Sequence, residues 1–558
     1  MKKRVLALFL ATVMGTGLVA CGENATDTAA TGGGDAAMEN ATVEEASEEE
    51  KVEAETSGDA WDAWSEIDTS EHVVLSYMTI GDKPSGELGE KNDAILKELN
   101  DILTEKVNAE IQPYYISWTD FLSNYNLTLA QMDGTVDLVG TGSDWLDAWT
   151  NAKNGAFLEL DEEMLQTYAP KTWASVPQEH WDMCKYDGDI YLIPEDNYAQ
   201  WTNHGFTYRL DWAKEAGLNE GVQCWEDMTT YFKYVKEAYP DIIPWDSNGR
   251  QQGELSRGWI ASHTQYVPID GINGGGIWGG NKDDLYTVYS PYLTETESLV
   301  EFAKTMKEWD EIGVWPTDVL NNEVSTNMED YRIGKVAADQ GHTQTWTDLV
   351  SKLDSNKIYQ TDEDAESGFF YFGKETGNIV ATNITHGAMA ISAGSKNPER
   401  ALMVFDMMRN DPHCYTLICY GQEGVAWERT DDGMRVTPES YNPDTDYVTL
   451  NYWWGRNDDL EIRDAKRNWD KINKLYEEYD GIKIDYPYGQ FIINDENIQS
   501  YIANVGEVHR NYMKQIAYGK YSGTAEEIIA EYQQALRDAG IDIVTEEIQR
   551  QINEIYGD

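Results

Sequence analysis

Carboxamides, a histidine and several large aromatics crowd one short break in the chain, "YDGDIYLIPEDNYAQWTNHGFTYRLDW", from Tyr186 to Trp212. A flat ring with a polar edge can cover an apolar C–H face, while Asp, Asn, Gln and Arg side chains make paired hydrogen bonds with a rim of hydroxyls. That is the chemistry a sugar asks for. The bias runs through the whole chain, which has 20 Trp and 34 Tyr against 11 Phe; aromatics with a polar handle suit half-wet surfaces better than dry cores. A glycoside hydrolase would use such a cleft too, adding two carboxylates roughly 5 to 10 Å apart. With 100 acidic residues, such pairs arise by chance and decide nothing. The chain carries no Gly-x-Ser-x-Gly, His-Glu-x-x-His or Walker loop. "GINGGGIWGGN" lacks the Gly-Lys-Ser/Thr ending and reads as a flexible loop rather than a phosphate cradle.

The elements that must hold these residues alternate. "HVVLSYMTIG" reads as a buried strand; Ile95, Leu99, Ile102, Leu103 and Val107 then recur at helical spacing. "IQPYYI" is a strand, "TDFLSNYNLTLAQMDG" a helix closed by glycine, and "TVDLVGTG" another strand. Strands alternating with helices imply a parallel, doubly wound sheet, with ligands beyond the carboxyl ends of its strands. At 558 residues the chain exceeds one ordinary core, so two lobes are expected. Residues 240–300 read as a long irregular region, and the last hundred residues as mostly helical. The class is α/β: two lobes, each a doubly wound sheet, with a helical C-terminal extension.

The N-terminus is read separately. Lys2, Lys3 and Arg4 precede a short apolar core, and Leu18-Val19-Ala20-Cys21 resembles a bacterial lipobox. Residues 1–20 are expected to be a signal peptide, with Cys21 lipidated. Residues 21–70, rich in Gly, Ala, Thr and Glu, are expected to form a disordered acidic tether. This would hold a folded body on the extracytoplasmic face of the cell membrane, anchored but not spanning. The formal net charge is −58, and −61 without the three basic leader residues (−58 − 3). So acidic a balance argues against nucleic acid and against anionic lipid surfaces. Cys184, Cys224, Cys414 and Cys419 form no CxxC pair and read as small apolar fillers.

Five stretches, in order between Phe157 and Glu428, carry a family resemblance: "FLELDEEM", "DGDIYLIP", "FTYRLDWAKEAGL" with "CWEDM", "RIGKVAA", and "SKNPERALMVFDMM" followed by "YGQEGVAWE". The chain resembles the lipoprotein branch of the family-one extracellular solute-binding proteins, the capturing components of sugar ABC transporters. Two departures stand out. Val222-Gln223-Cys224 replaces the family's usual proline before its Thr-Trp-Glu-Asp. In "WDSNGRQQGELSR" the third ligand position of a calcium loop is Arg250 and the twelfth is Arg257, so no metal is expected there. No cofactor is expected.

The resemblance implies a two-lobe, type II periplasmic-binding-protein-like fold. Lobe 1 would be 71–193 with 383–426 and lobe 2 would be 194–382 with 427–558, crossing near Ile193, Thr382 and Gly424. Candidate ligand contacts come from that frame. Trp118, Ser143, Asp144 and Trp145 end strands of the first lobe. Asn197, Tyr198, Trp201, Asn203 and His204 follow the first crossover. His342, Gln344 and Trp346 follow the Gly-Lys-x-Ala strand; Trp427, Trp453 and Trp454 follow the return. Trp245, Trp259 and Trp278 would form a far wall. Arg209 reads as an ion-pair partner of Asp211. The implied activity is capture of a carbohydrate by hinge closure and delivery to permease subunits by a monomeric binder that catalyses nothing. The alternatives are an extracellular glycosidase and a binder of another solute, such as a peptide.

Overall fold

The computed structural model describes residues 59–196, 203–247, 249–272, 276–321, 328–353 and 355–557. The expected signal peptide, Cys21, most of the tether, and Asn197, Tyr198 and Trp201 lie outside the described residues.

The first lobe is built on a five-stranded sheet. Val73–Ile80 is the second strand across it, parallel to the edge strand Ala109–Ile116 in unbroken register from Val73↔Ala109 to Ile80↔Ile116, and parallel to the central strand Leu138–Thr141 on its other side. Ala388–Ile391 returns from far along the chain and pairs antiparallel between Leu138–Thr141 and Ile193–Pro194. The helix Gly86–Val107 buries Ile95, Leu99, Leu103 and Val107, the 3.6-residue stripe read from the sequence. It closes at Asn108 in the left-handed conformation.

The second lobe differs from the parallel sheet expected for it. Its central strand, His204–Arg209, pairs antiparallel with both Ala338–His342 and Ser367–Tyr371. The outer two strands are therefore parallel to each other and joined through the helix Thr343–Leu349. Alternating strands and helices do mark a crossover here, but the strand arriving from the first lobe fills its gap in the opposite sense. The region 240–300 is also more ordered than expected. It folds into the helix Gln252–His263 and a three-stranded antiparallel sheet of Tyr266–Pro268, Gly279–Asn281 and Asp284–Tyr289. Its tryptophans become core: Trp245, Trp259 and Trp278 are all buried in one apolar cluster with the C-terminal helices. Those helices, Gln499–Ile516, Ala525–Asp538 and Ile541–Tyr556, contribute Val505, Ile529, Val544 and Ile548 to the same cluster. Thr524 and Glu527 form a reciprocal capping box at the second.

The core clusters also place the last crossing later than Gly424. Tyr452 and Trp454 lie in the core of the first lobe, and Trp427 packs with Tyr420 and Ile462. Only at Arg467, paired with Asp348 at 2.6 Å, and in the helix Trp469–Asp480 does the chain join second-lobe elements. The physical reason is the burial of Tyr452 and Trp454 in the first-lobe core, which outweighs chain proximity to that second-lobe helix.

Residues 59–70, expected to belong to the tether, are folded against the first lobe. The reason is two tryptophans in an otherwise polar segment. Trp61 and Trp64 stack at 5.5 Å, Lys171 sits 3.4 Å over the Trp61 ring, and the Trp64 indole N–H donates to the carbonyl of Thr167 at 2.9 Å. The Asp406 carboxylate, fully buried, gathers the rest. It accepts from the Trp61 indole at 2.6 Å, from the Thr172 and Lys171 amides at 2.7 and 3.2 Å, and from the Asn410 side chain at 3.0 Å. Asp406→Ala would take this acceptor from the Trp61 indole and the Lys171 and Thr172 amides, while Asn410 keeps Thr172 and the main-chain carbonyl, and the expected cost is about 2–4 kcal/mol, read as a lowered denaturation midpoint. Loss of the Trp61 fluorescence environment should accompany it.

Candidate functional site

An aromatic platform stands on the first lobe where its strands end. Trp118 and Trp145 follow the second and third strands; Trp453 arrives from the late segment and touches both, with centroids at 5.8 and 6.2 Å. Phe121 packs beside Trp118 and Trp145 at 5.8 and 6.3 Å. These four rings are partly exposed. Beneath them Trp454 is fully buried and stacks under Trp145 at 5.9 Å with 17° between planes, its indole N–H donating to the Tyr77 hydroxyl. Trp454 supports the platform and offers no free face, contrary to the expectation that it contacts ligand.

Polar groups border this platform through the crossover 382–387. The Trp145 indole donates to the carbonyl oxygen of His386 at 3.0 Å. His386 Nδ1 meets the Asp144 carboxylate at 2.8 Å. The Ser143 hydroxyl accepts from that of Thr385 at 2.9 Å. No side chain fits at Gly142, where a Cβ would lie 2.4 Å from the His386 carbonyl oxygen and from the Trp145 indole nitrogen. Glu195 is buried behind Gly387, with one carboxyl oxygen lacking a hydrogen-bond partner.

The second lobe presents a polar face. His204 Nδ1 lies 2.9 Å from the Gln340 amide nitrogen and 3.6 Å from Glu254, which pairs with Arg257. Asn203 holds the loop by accepting from the Thr343 amide at 3.0 Å. His342 caps the helix Thr343–Leu349, and its ring meets that of His204 edge-on at 5.9 Å. Both amide atoms of Gln344 are buried without a partner. Asp270, from the loop between the small sheet's strands, feels the charges of Asp144 and His386 on the other lobe. The neighbouring Gly271 approaches so closely that a Cβ there would lie 3.6 Å from the Ser143 carbonyl oxygen.

The remaining candidates are packing residues. Trp346 is buried and stacks on Phe369 at 5.6 Å. Trp427 is buried with its indole bound to the Gly421 carbonyl at 2.9 Å. The indoles of Trp245, Trp259 and Trp278 donate inside the second lobe to Asp339, Ser298 and Thr545, at 3.1, 3.0 and 3.0 Å. Arg209 pairs with Asp211 and also with Asp362 at 2.6 Å. Sequence reasoning missed Phe121, Glu195, Asp270 and His386. The run "NITHG" at the crossover, polar between two strands, was a usable signal for His386. Asp270 had none, being one acid among a hundred.

Charge at the site is unusually constrained. Burial works against the His386 cation, but Asp144, Glu195 and Asp270 outweigh it and push its pKa up to about 9. Burial pushes Glu195 up to about 8, against the pull of His386, Arg456 and Arg409. Burial and the charge of Asp144 push Asp270 up to about 7. The signs agree. A histidine raised from about 6.5 contributes stability that is complete below that pH and is lost as pH rises through about 9. The raised carboxyls contribute stability present below about pH 4 and lost as pH rises through about 7 and 8. Melting temperature should therefore fall between mildly acidic and alkaline pH, and His386→Gln should flatten the alkaline part of that fall. An equal slope in the variant would remove His386 from the account.

Comparisons with known proteins agree with this architecture. Over 497 residues, 87% of this chain and 92% of the relative, the sequence is 24% identical to a carbohydrate ABC transporter substrate-binding protein of Streptococcus pneumoniae serotype 4. Residues 487–556 match a family model described as a domain of unknown function, DUF3502. Among solved structures, the N-glycan transport solute-binding protein of Streptococcus pneumoniae superposes with a TM-score of 0.67 at 19% identity, over 87% of this chain and 99% of that one. An HMO-binding, ABC-transporter-associated solute-binding protein from Bifidobacterium longum infantis gives 0.61 at 15% identity, over 87% of this chain and all of that one. The chain has the two-lobe α/β fold of type II solute-binding proteins, and the resemblance carried by its five sequence stretches holds along most of its length.

Proposed function

We propose that this chain is the solute-binding component of a carbohydrate ABC importer, capturing an oligosaccharide between its lobes. The observation that carries the reading is the platform of Trp118, Phe121, Trp145 and Trp453 on one lobe opposite a polar face of His204, Gln340, Glu254, Arg257 and Asp270 on the other. A sugar ring can stack on the first while its hydroxyls bind the second, so only a shut cleft satisfies the whole ligand. Binding energy then shifts an open–closed equilibrium by hinge motion at the crossovers. The names of the relatives point the same way.

The finer reading comes from the N-terminal sequence and from the relatives. The protein is lipid-anchored at Cys21 on the extracytoplasmic face of the membrane, monomeric, and passes its ligand to two permease subunits. The tether keeps it near them at high effective concentration. No helix among the described residues is long and apolar enough to cross a membrane.

One observation favours a second reading. The carboxyl of Asp270 lies near enough to the other lobe to be raised by the charge of Asp144 as well as by burial, as the acid of a glycosidase pair is. One experiment separates the two. The purified protein is screened for thermal stabilisation by a panel of oligosaccharides, and each stabilising glycan is then recovered and chromatographed. Stabilisation with intact recovery supports capture. Shortened product supports hydrolysis, and no stabilisation by any glycan overturns the carbohydrate assignment.

A further inference from the structure

We propose that Asp144 and Asp270, which the two lobes bring together beside His386, form a charge filter that admits sugars bearing hydroxyl, acetamido or ammonium groups and rejects those bearing a carboxylate. The inference rests on the oligosaccharide-binding reading above and assigns the ligand class within it.

The cations near this point are already committed. His386 pairs with Asp144 at 2.8 Å and also feels Glu195 and Asp270. Arg257 pairs with Glu254. Among the described residues Asp270 has no cation at ion-pair distance; its amide is anchored on the Tyr486 hydroxyl at 2.7 Å. Three carboxylates, Asp144, Glu254 and Asp270, thus face two cations, with the Glu195 carboxyl close behind. The backbone of Asp270 is held at this point, because its amide donates to the Tyr486 hydroxyl and a Cβ on the adjacent Gly271 would be in van der Waals contact with the Ser143 carbonyl oxygen.

The neighbourhood already resists a second negative charge: burial and Asp144 push Asp270 up to about 7. A ligand carboxylate would add a further like charge in a partly desolvated space, where repulsion is strong. A hydroxyl or amide N–H would instead find acceptors without a charge penalty, and an ammonium would find two carboxylates. The platform does not discriminate among these, since sugars of every class present C–H faces. Discrimination therefore falls to the acids at its border, by exclusion more than by attraction.

The test uses three oligosaccharide series matched in length: chito-oligosaccharides, their de-N-acetylated counterparts, and oligouronates. Isothermal titration near neutral pH should give binding in the first or second series and at least about 100-fold weaker binding of uronates. Asp270→Asn should narrow that ratio about tenfold or more, whatever it does to absolute affinity. Trp118→Ala, which weakens stacking alone, should lower all series and leave the ratio in place. Uronates binding as tightly as the other series, or an unmoved ratio in both Asp270→Asn and Asp144→Asn, would overturn the filter while leaving carbohydrate binding intact. No heat and no stabilisation with any series would overturn the carbohydrate reading itself, and the filter with it.

Discussion

Trp145→Ala should weaken oligosaccharide binding by about 30- to 700-fold, which corresponds to about 2–4 kcal/mol for truncating a central aromatic anchor. The ring has the most central position on the platform. It lies 5.9 to 6.5 Å from Phe121, His386, Trp453 and Trp454, so no neighbour can slide in to replace it. Its indole N–H also ties the platform to the crossover at His386, so the substitution loosens the polar border as well as removing a stacking face. Trp145→Phe would keep a stacking surface but lose that bond, and should fall between the two. Trp118→Ala, at the edge, should cost about tenfold or less. The measurement is titration calorimetry on protein whose circular dichroism and melting curve show both lobes folded. An affinity within about threefold of the parent protein would return Trp145 to the status of packing residue.

Glu461→Ala should destabilise the first lobe by about 3–5 kcal/mol, the largest stability effect expected of any single change here. The side chains of Arg456 and Glu461 are only 5% and 2% exposed, and their two ion-pair contacts include one of 2.6 Å to Arg456 Nε. The Tyr415 and Tyr420 hydroxyls both donate to the same carboxylate. Tyr415 in turn accepts from the Asn457 amide at 3.1 Å, and Tyr420 from the Ile462 amide at 3.1 Å. Truncation takes the carboxylate away from a buried guanidinium and from two buried hydroxyls that donate to it, and the cost is the desolvation of those groups rather than the worth of one ion pair. Glu461→Gln, which keeps a hydrogen-bond acceptor, should cost less. Chemical denaturation reads the effect directly. The network also holds the segment that carries Trp453 and Trp454, so ligand affinity should fall in parallel. A midpoint unchanged from the parent would show that the network is dispensable.

The residues of the cleft differ in how far the chain alone could place them. Trp118, Asp144 and Trp145 were legible, because each stands just beyond a buried apolar strand and strand ends face the cleft in such sheets. Trp453 was legible as a candidate, but Trp454 beside it was indistinguishable by type; only the stacking against Trp145 and the bond to Tyr77 separate ligand face from support. The three tryptophans of 240–300 were misplaced for a related reason. Glycine and amide content suggested an open loop, while the C-terminal helices, more than two hundred residues away, bury those rings. Phe121 was hidden as one apolar residue of a helix.

The part determined by the sequence itself is local. Period-two and period-3.6 patterns decide which faces must leave water, so the order of strands and helices, the helical C-terminus and the aromatic-with-amide chemistry were all readable. Tertiary structure alone decided which groups meet. Trp145 and His386 stand 241 residues apart, and they meet only because Ala388–Ile391 inserts antiparallel into the first sheet. Asp270 feels the charge of Asp144 only because the loop that carries it and Gly271 lies beside Ser143 of the other lobe. Hydrophobic pattern constrains burial along one element; it carries no term for the approach of two charges from opposite lobes. That approach depends on how the crossovers return the chain, and it is there that the charge of the cleft is set.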